Sequence, residues 1–592
     1  MTVAWIVAAM VIVIRLFYIQ GIKGQDNFKK SVENSVRLKV IKASRGLILD
    51  RTGISIVRNR SAWSVGIIYN ELKTKQRVTD LKKTLLKIRD KKGMLAFDNR
   101  ELEKHIAKAR IHRFELVRIA DDVGTDVATV LMEHIDDLPG IQVLEETRRE
   151  YPFGTLACHA LGYMGEISEE QLENDKIEGY YLGDFVGKFG LEAQYEKSHL
   201  HGTDGLEYSM VDAYGRNYGT LEGMPIVVPV PGKDLQTTID LKLQRIAEKA
   251  FPDSQSGAVV AIDPRNGDIL AMVSSPRFDP NMFASSSVRR GRYWRQLIMD
   301  PRQPLNNRAI TGLYSPGSTF KLVTAMAALN EGIVGTGDRF NSCNGGFWYG
   351  GRINKCWKKE GHGSLSMVPA VKVSCNVYFY QCGLKAGIDY LCQYARLFGF
   401  GSPTGVDLPD EKAGEVMDPQ EYNTKFKSRG WVWTQGQILN ASIGQSQTVT
   451  PIQLANYGGG MGRGDFLIKP RFRFSGKNGI NGISPDTLHQ LELHDGTKAM
   501  LLEALRAVVE PGGTGGRAKV DSIDVGGKTG TAQNPHGDDH AVFFCTAPLG
   551  SAEIAVGVVV ENAGHGGSVA APIAGKIMRA YFKRPWPGEE EE

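Results

Sequence analysis

Ser318 and Lys321 stand three positions apart in Tyr314-Ser-Pro-Gly-Ser318-Thr-Phe-Lys321-Leu-Val-Thr-Ala-Met-Ala-Ala-Leu-Asn330. Pro316-Gly317 breaks the chain ahead of an apolar-periodic run. The spacing therefore predicts a helix that opens at the serine and carries the lysine one turn later on the same side. A helix N-terminus offers unsatisfied N–H groups and a positive dipole end, both favourable to developing negative charge. A buried lysine can shed its proton and serve as base for a serine hydroxyl. Alone the pair says little: at average composition roughly two or three Ser-x-x-Lys occur by chance in a chain of this length.

Two further segments change the odds. Ser374-Cys375-Asn376 precedes the aromatic run Tyr378-Phe379-Tyr380. Lys528-Thr529-Gly530-Thr531 follows Val525-Gly526-Gly527 and reads as an edge strand. Lys-Thr-Gly is expected by chance in only about one in seven chains of this length. The small residues around it let a substrate backbone lie along the strand, as in strand addition. The three motifs in this order match the set of serine β-lactamases and penicillin-binding proteins.

The chain has seven cysteines, an odd number that cannot all pair. Those at 158, 382, 392 and 545 receive no role. Cys343, Cys356 and Cys375 with His362 form Cys-x12-Cys-x5-His-x12-Cys. Three cysteines and a histidine are a closed tetrahedral set for structural zinc, with Asp338 as a substitute ligand. A Cys343–Cys356 disulfide and unpaired thiols are the alternatives. A metal on Cys375 would pin its neighbours Ser374 and Asn376. His540 reads as a turn or strand-edge residue and His565 as part of a Gly-rich loop. Tyr422, Trp431 and Trp433 read equally as groove lining or loop packing.

These residues need a scaffold. Residues 257–263 and 268–274 are apolar runs joined by Pro264-Arg-Asn266-Gly267, a hairpin signal. Residues 541–548 and 553–561 are again strand-like and 572–582 reads as helix, which suggests one sheet completed by the last strands and covered by helices. Upstream, 37–60 is extended, 71–148 is charged and helical in pattern with a helix over 117–134, and Asp240 caps a further helix. Residues 2–14 carry no charge, and a helix over 2–20 would span roughly 28 Å, close to a bilayer's hydrocarbon core. Arg15 could snorkel to an interface. A cleaved signal peptide would need a charged n-region and a small-residue cleavage site, and both are missing. At 592 residues, 42% hydrophobic and 23% charged, the chain is globular and of more than one domain. A net charge of +5, from 71 basic and 66 acidic residues, is too thin an excess to indicate nucleic acid.

Beyond the three motifs, Arg45-Gly-x-x-x-Asp50-Arg51-x-Gly53, Gly187-Lys-Phe-Gly-Leu191-Glu192, Leu200-His-Gly202-Thr-Asp204-Gly205, Ala258-Val-Val-Ala-Ile-Asp263-Pro, Gly444-Gln445 with Thr450-Pro451-Ile-Gln453, and Ala570-Ala571-Pro572 resemble the class B, monofunctional penicillin-binding proteins across essentially the whole chain. Arg148-Arg149-Glu-Tyr151-Pro152 and Trp357-x-x-x-Gly361-His362-Gly363 are most similar to the elongation-type group, penicillin-binding protein 2. The resemblance implies an α/β (α+β) transpeptidase domain over 256–584, a pedestal over 21–255 with a head at about 62–147, a transmembrane anchor over 1–20 and an acidic tail over 585–592.

It also implies a peptidoglycan DD-transpeptidase of cell elongation. Ser318 is then the nucleophile and Lys321 its base. Ser374 and Asn376 complete the relay. Lys528, Thr529 and Gly530 form the carboxylate-binding strand, and the N–H groups of Ser318 and Thr531 the oxyanion hole. Some members carry zinc near the active site, and no organic cofactor is implied. The implied partners are stem peptides, lipid-linked nascent glycan, β-lactam antibiotics, a SEDS-type glycosyltransferase and an elongation scaffold protein. The implied location is the bacterial inner membrane, single-pass, with the catalytic domain in the periplasm. A DD-carboxypeptidase or β-lactamase-like hydrolase would hand the acyl group to water instead, and a β-lactam sensor or non-catalytic scaffold would not turn over at all.

Overall fold

The computed structural model describes residues 2–18 and 36–582 apart from 73, 90, 92, 94, 115, 176–179, 181–183, 212–216, 221–225, 475–485 and 536. Of the anchor expected over 1–20, a helix α1 spans Thr2–Phe17. No helix among the described residues is long and apolar enough to cross a membrane. The remainder of that expected span (residues 1, 19 and 20) and the acidic tail over 585–592 lie outside the described residues.

Among the described residues, the N-terminal part has two sheets of three or more strands. Strands β1 (Val36–Ile41), β6 (Gly205–Val211) and β7 (Asn217–Thr220) form an antiparallel three-stranded sheet. The second sheet runs β8 (Leu235–Gln236), β2 (Ile48–Leu49), β3 (Ser55–Ile68) and β4 (Leu116–Val123), with β5 (Ile141–Glu150) also pairing β3. Helices α2 (Lys75–Leu85) and α3 (Asn99–Ile111) start where the Thr74 hydroxyl accepts from Arg77 N–H and the Asp98 carboxylate from Arg100 and Glu101 N–H. With α4 (Thr125–Glu133) they bury Leu85, Leu102 and Leu131 against Val65 and Ile67 in a hydrophobic cluster of their own.

The single helix expected over 117–134 is instead β4 followed by α4. Val117 and Ile119 are buried while Leu116 and Arg118 are exposed, the period-two pattern of a strand paired to β3, and Gly124 ends it before the helix begins. Below this head, Arg45 donates to Glu192 and Glu196 at 2.8 Å and Arg149 to Glu192 at 2.6 Å, so the Arg45 and Glu192 motifs form one buried ionic knot.

The C-terminal part is organised by a five-stranded antiparallel sheet in the order β10-β9-β13-β12-β11: β9 (Gly257–Ile262), β10 (Ile269–Ser275), β11 (Gly526–Ala532), β12 (His540–Ala547) and β13 (Ile554–Val560). The first hairpin and the last strands join as the sequence suggests, Val259 pairing both Val273 and Val558. Helix α5 (Leu241–Ala250), capped by Asp240, and the last helix α11 (Ala570–Tyr581) pack on one face through Leu243, Ala247, Ile573 and Ile577. Helices α6 (Lys321–Asn330), α7 (Met367–Lys372), α8 (Asn376–Ala386), α9 (Pro451–Arg463) and α10 (Asp495–Val509) share the core that also holds Val542, Phe544 and Val559. Among the described residues β11 pairs only with β12, which leaves its other edge without a partner strand.

Candidate active site

Ser318 lies in a 3₁₀ turn, Gly317–Phe320, that leads into α6. The helix expected to open at the serine thus opens one tight turn later, because Gly317 holds φ +53°, a conformation that favours glycine. The turn is closed by Thr319, whose hydroxyl donates to Pro316 O at 2.8 Å. Ser318 is half-buried, and its hydroxyl makes no hydrogen bond to any described residue.

Lys321 is fully buried. Its ammonium donates to Ser374 O at 2.8 Å, Ser374 Oγ at 3.1 Å and Asn376 Oδ1 at 2.6 Å. Ser374 adopts φ +55° just before α8, a strained conformation for a non-glycine residue that aims its hydroxyl inward. Lys528 is fully buried as well and donates to the same Ser374 Oγ at 3.0 Å and to Thr529 O at 3.1 Å. All three sequence motifs therefore meet, two of them at one hydroxyl oxygen of the third. Burial lowers Lys321 to about 8, opposed by the nearby Cys356 and Cys375 sulfurs. Lys528 is pushed well down by burial and then by the charge of Lys321.

The edge strand lies against the serine turn. A Cβ on Gly317 would meet Thr531 O at 2.5 Å, and one on Gly530 would meet Pro316 O at 2.7 Å. The Thr529 hydroxyl is 2.6 Å from that of Thr514, and the Thr531 hydroxyl is 3.5 Å from His565 Nδ1.

Several contributors were given no role in the site from sequence. Gln445 donates to Thr531 O at 3.0 Å, and Trp357 Nε1 donates to Val373 O and Ser374 O, both at 3.1 Å. Thr514 joins Thr529, and His565, read as a loop residue, faces Thr531. Gly444-Gln445 was visible as a motif, but its partner lies 86 residues away, a pairing that no local pattern carries. His540 begins β12 and its Nδ1 accepts from Asn562 N–H at 3.1 Å, a strand-edge role. Tyr422 packs on Phe426 and Trp433 with ring centroids 4.7 and 5.5 Å apart, while Trp431 remains exposed.

The ligand atoms of Cys343, Cys356, His362 and Cys375 lie within 4.8 Å of one another. His362 Nδ1 is 3.7 Å from Cys343 Sγ and 3.5 Å from Cys356 Sγ. Sulfur and nitrogen on one tetrahedral zinc would be about 3.6 Å apart, given the usual Zn–S and Zn–N bonds. The donor set therefore fits that ion in type, number and separation. Main-chain bonds hold it: Cys343 N–H to Gly363 O at 2.9 Å, and His362 N–H to Cys343 O at 2.9 Å. His362 Nε2 is buried with no partner among the described residues. Cys343 and Cys356 are free thiols. Asp338, the substitute ligand, stands outside the group: its carboxylate accepts from Gly335 N–H at 3.0 Å and closes a turn.

The chain matches the family model of the penicillin binding protein transpeptidase domain over 257–579 and that of the penicillin-binding protein dimerisation domain over 40–237. It is 32% identical to the peptidoglycan D,D-transpeptidase MrdA of Acinetobacter baumannii over 600 residues, covering 95% of this chain and 84% of that one. Among solved structures, it resembles the penicillin-binding protein PBP2 in complex with MreC from Helicobacter pylori, with TM-score 0.78 and 28% identity over 93% of this chain and 99% of that one. A chain from a study of polymerization and crosslinking by a peptidoglycan synthase complex matches with TM-score 0.72 and 27% identity, covering 100% and 99%.

Proposed function

The chain belongs to the penicillin-binding protein transpeptidase family, and we propose that it cross-links peptidoglycan stem peptides during cell elongation through an acyl-enzyme on Ser318. The observation that carries this reading is the meeting of Lys321 and Lys528 at Ser374 Oγ beside the Ser318 turn.

A lysine lowered to about 8 is neutral in a useful fraction of molecules near neutral pH. Neutral Lys321 takes the Ser318 proton as Oγ bonds to the penultimate D-Ala carbonyl, whose π pair moves onto oxygen. The N–H groups of Ser318 and Thr531 receive that oxyanion, the contribution usually largest in acyl transfer. Collapse breaks the C–N bond, and the departing D-Ala amine takes its proton from Lys321 through Ser374. Both lone pairs of the Ser374 hydroxyl are occupied by the two ammonium groups, so its own proton is free to point at the leaving amine. An acceptor amine then attacks the ester and passes its proton through Ser374 to Lys321, which returns it to Ser318 Oγ as the ester C–O bond breaks. Lys528, Thr529 and Gly530 receive the substrate carboxylate, and Asn376 holds Lys321 in place. β-Lactams trap Ser318 at the ester stage.

Cys343, Cys356, His362 and Cys375 would hold a structural zinc ion. When bound, it would tie the 343–362 segment to Cys375 and so fix Ser374 and Asn376. The donor chemistry and the sulfur–nitrogen separations support this.

The chain is read as a single-pass protein of the bacterial inner membrane with its catalytic part in the periplasm. The support is α1, whose exposed side chains are apolar apart from Arg15 near its end, with Trp5, Ile6, Met10, Val13 and Phe17 exposed, a surface suited to lipid. The pedestal, with its separate head core, is the proposed docking part for an elongation scaffold and a SEDS-type glycosyltransferase that supplies lipid-linked glycan. The Helicobacter pylori neighbour was solved with MreC, and the second neighbour belongs to a peptidoglycan synthase complex.

The test is labelling by a fluorescent penicillin. Ser318→Ala in a folded full-length chain should abolish it, and labelling at full strength would refute the nucleophile.

A further inference from the structure

Three backbones are stacked without room for a side chain at the nucleophile's turn. Gly444, at φ +74°, abuts Gly317: a Cβ on it would meet Gly317 O at 2.3 Å and Phe320 Cβ at 2.6 Å. Gly317 in turn abuts Thr531, as described above. The Gly444 carbonyl accepts from Gly317 N–H at 3.0 Å. Its neighbour Gln445 reaches the other side of the sandwich, where the carboxamide N–H donates to Thr531 O at 3.0 Å and the carboxamide oxygen accepts from Gln533 N–H at 3.3 Å. One dipeptide thus grips the residue before Ser318 with its main chain and the edge strand with its side chain. Val449 anchors the same segment by two main-chain bonds to Tyr314, at 3.0 and 2.8 Å.

The carboxamide does on this edge what a neighbouring strand would do. Residues 529, 531 and 533 alternate with 528, 530 and 532, and the N–H and C=O of one strand residue share a side. The outward carbonyl of Thr529 is taken by Lys528 and that of Thr531 by Gln445. The N–H groups of Thr529 and Thr531 are turned to the same side as these carbonyls. We propose that Gln445 is a positioning residue for the oxyanion hole: with Gly444 it fixes the spacing between the N–H groups of Ser318 and Thr531. This rests on the acyl-enzyme reading of Ser318. It places Gln445 outside the reacting atoms, acting through Thr531.

Displacing a reacting group by about 1 Å can cost on the order of 100-fold in rate. The full-length chain carrying Gln445→Met, which keeps the length but loses both hydrogen bonds, should acylate with penicillin about 10- to 100-fold more slowly, while the noncovalent pre-complex forms with unchanged affinity. Gln445→Glu, which keeps the acceptor for Gln533 but sets a carboxylate against Thr531 O, should be impaired at least as much. The infrared carbonyl band of the carbonyl-labelled penicilloyl ester, which reads oxyanion hydrogen bonding directly, should move to higher frequency in both. Packing loss alone would lower the melting temperature and leave that band where it is. An unmoved band with wild-type acylation in either folded variant would overturn the proposal. Absence of any Ser318 ester in the wild-type chain would instead sink the acyl-enzyme reading beneath it.

Discussion

Lys321 and Lys528, from the helix after the nucleophile and from the edge strand, direct their ammonium groups at the same oxygen, Ser374 Oγ, at 3.1 and 3.0 Å. Burial holds both below the ordinary lysine range, and the charge of Lys321 pushes Lys528 down further. The arrangement stores two proton carriers around one relay hydroxyl.

Removing the relay oxygen should therefore be costly even though Ser318 is untouched. Ser374→Ala should slow acylation by about 100- to 10,000-fold, the usual weight of a positioned proton carrier. Stopped-flow labelling with a reporter β-lactam checks this, and a loss under threefold would contradict the relay.

Lys321 sets the pH dependence. The neutral amine is the active base, so acylation should rise about tenfold per pH unit below 8 and level off above it. The stability consequence has the same sign. The folded-state value lies below the unfolded value near 10.4, so between about 8 and 10.4 the unfolded chain binds more protons and stability climbs with pH. Below 8 the burial penalty is present in full. Melting curves should show the wild type gaining on Lys321→Met across that window.

The Gly317 contact predicts a local failure. Gly317→Ala puts a methyl 2.5 Å from Thr531 O in a left-handed backbone, which should destabilise the fold by about 1–3 kcal/mol and slow acylation further by opening the strand from the turn. Chemical denaturation and labelling kinetics on the same sample separate the two effects.

The thiol–imidazole group predicts metal content. Elemental analysis of full-length protein should find about one zinc per chain, and Cys343→Ser should lose it with a lower melting temperature. Full activity in protein shown to be metal-free would refute a stabilising role for the ion.

Much of this was legible in the sequence because it is local. The Ser318–Lys321 spacing, the small residues around Lys528 and the terminal strands each declare themselves within a dozen residues. The β4–α4 segment misled because the apolar positions from Val117 to Leu131 suit a helix until the long strand β3 is available as a partner. The left-handed Ser374, which brings its hydroxyl between two lysines, has no composition signal, since serine is not a residue that advertises positive φ. Asp338 had the chemistry of a ligand but is consumed by its own turn. Gln445 and Trp357 act across long sequence separations and appear only once the walls of the cleft are assembled.

The most direct measurement is mass spectrometry of the full-length chain after brief exposure to penicillin, with the adduct located by peptide mapping. A single penicilloyl group on the peptide that contains Ser318, absent from Ser318→Ala, is the predicted result. An adduct on any other residue, or none in folded protein, would contradict the account.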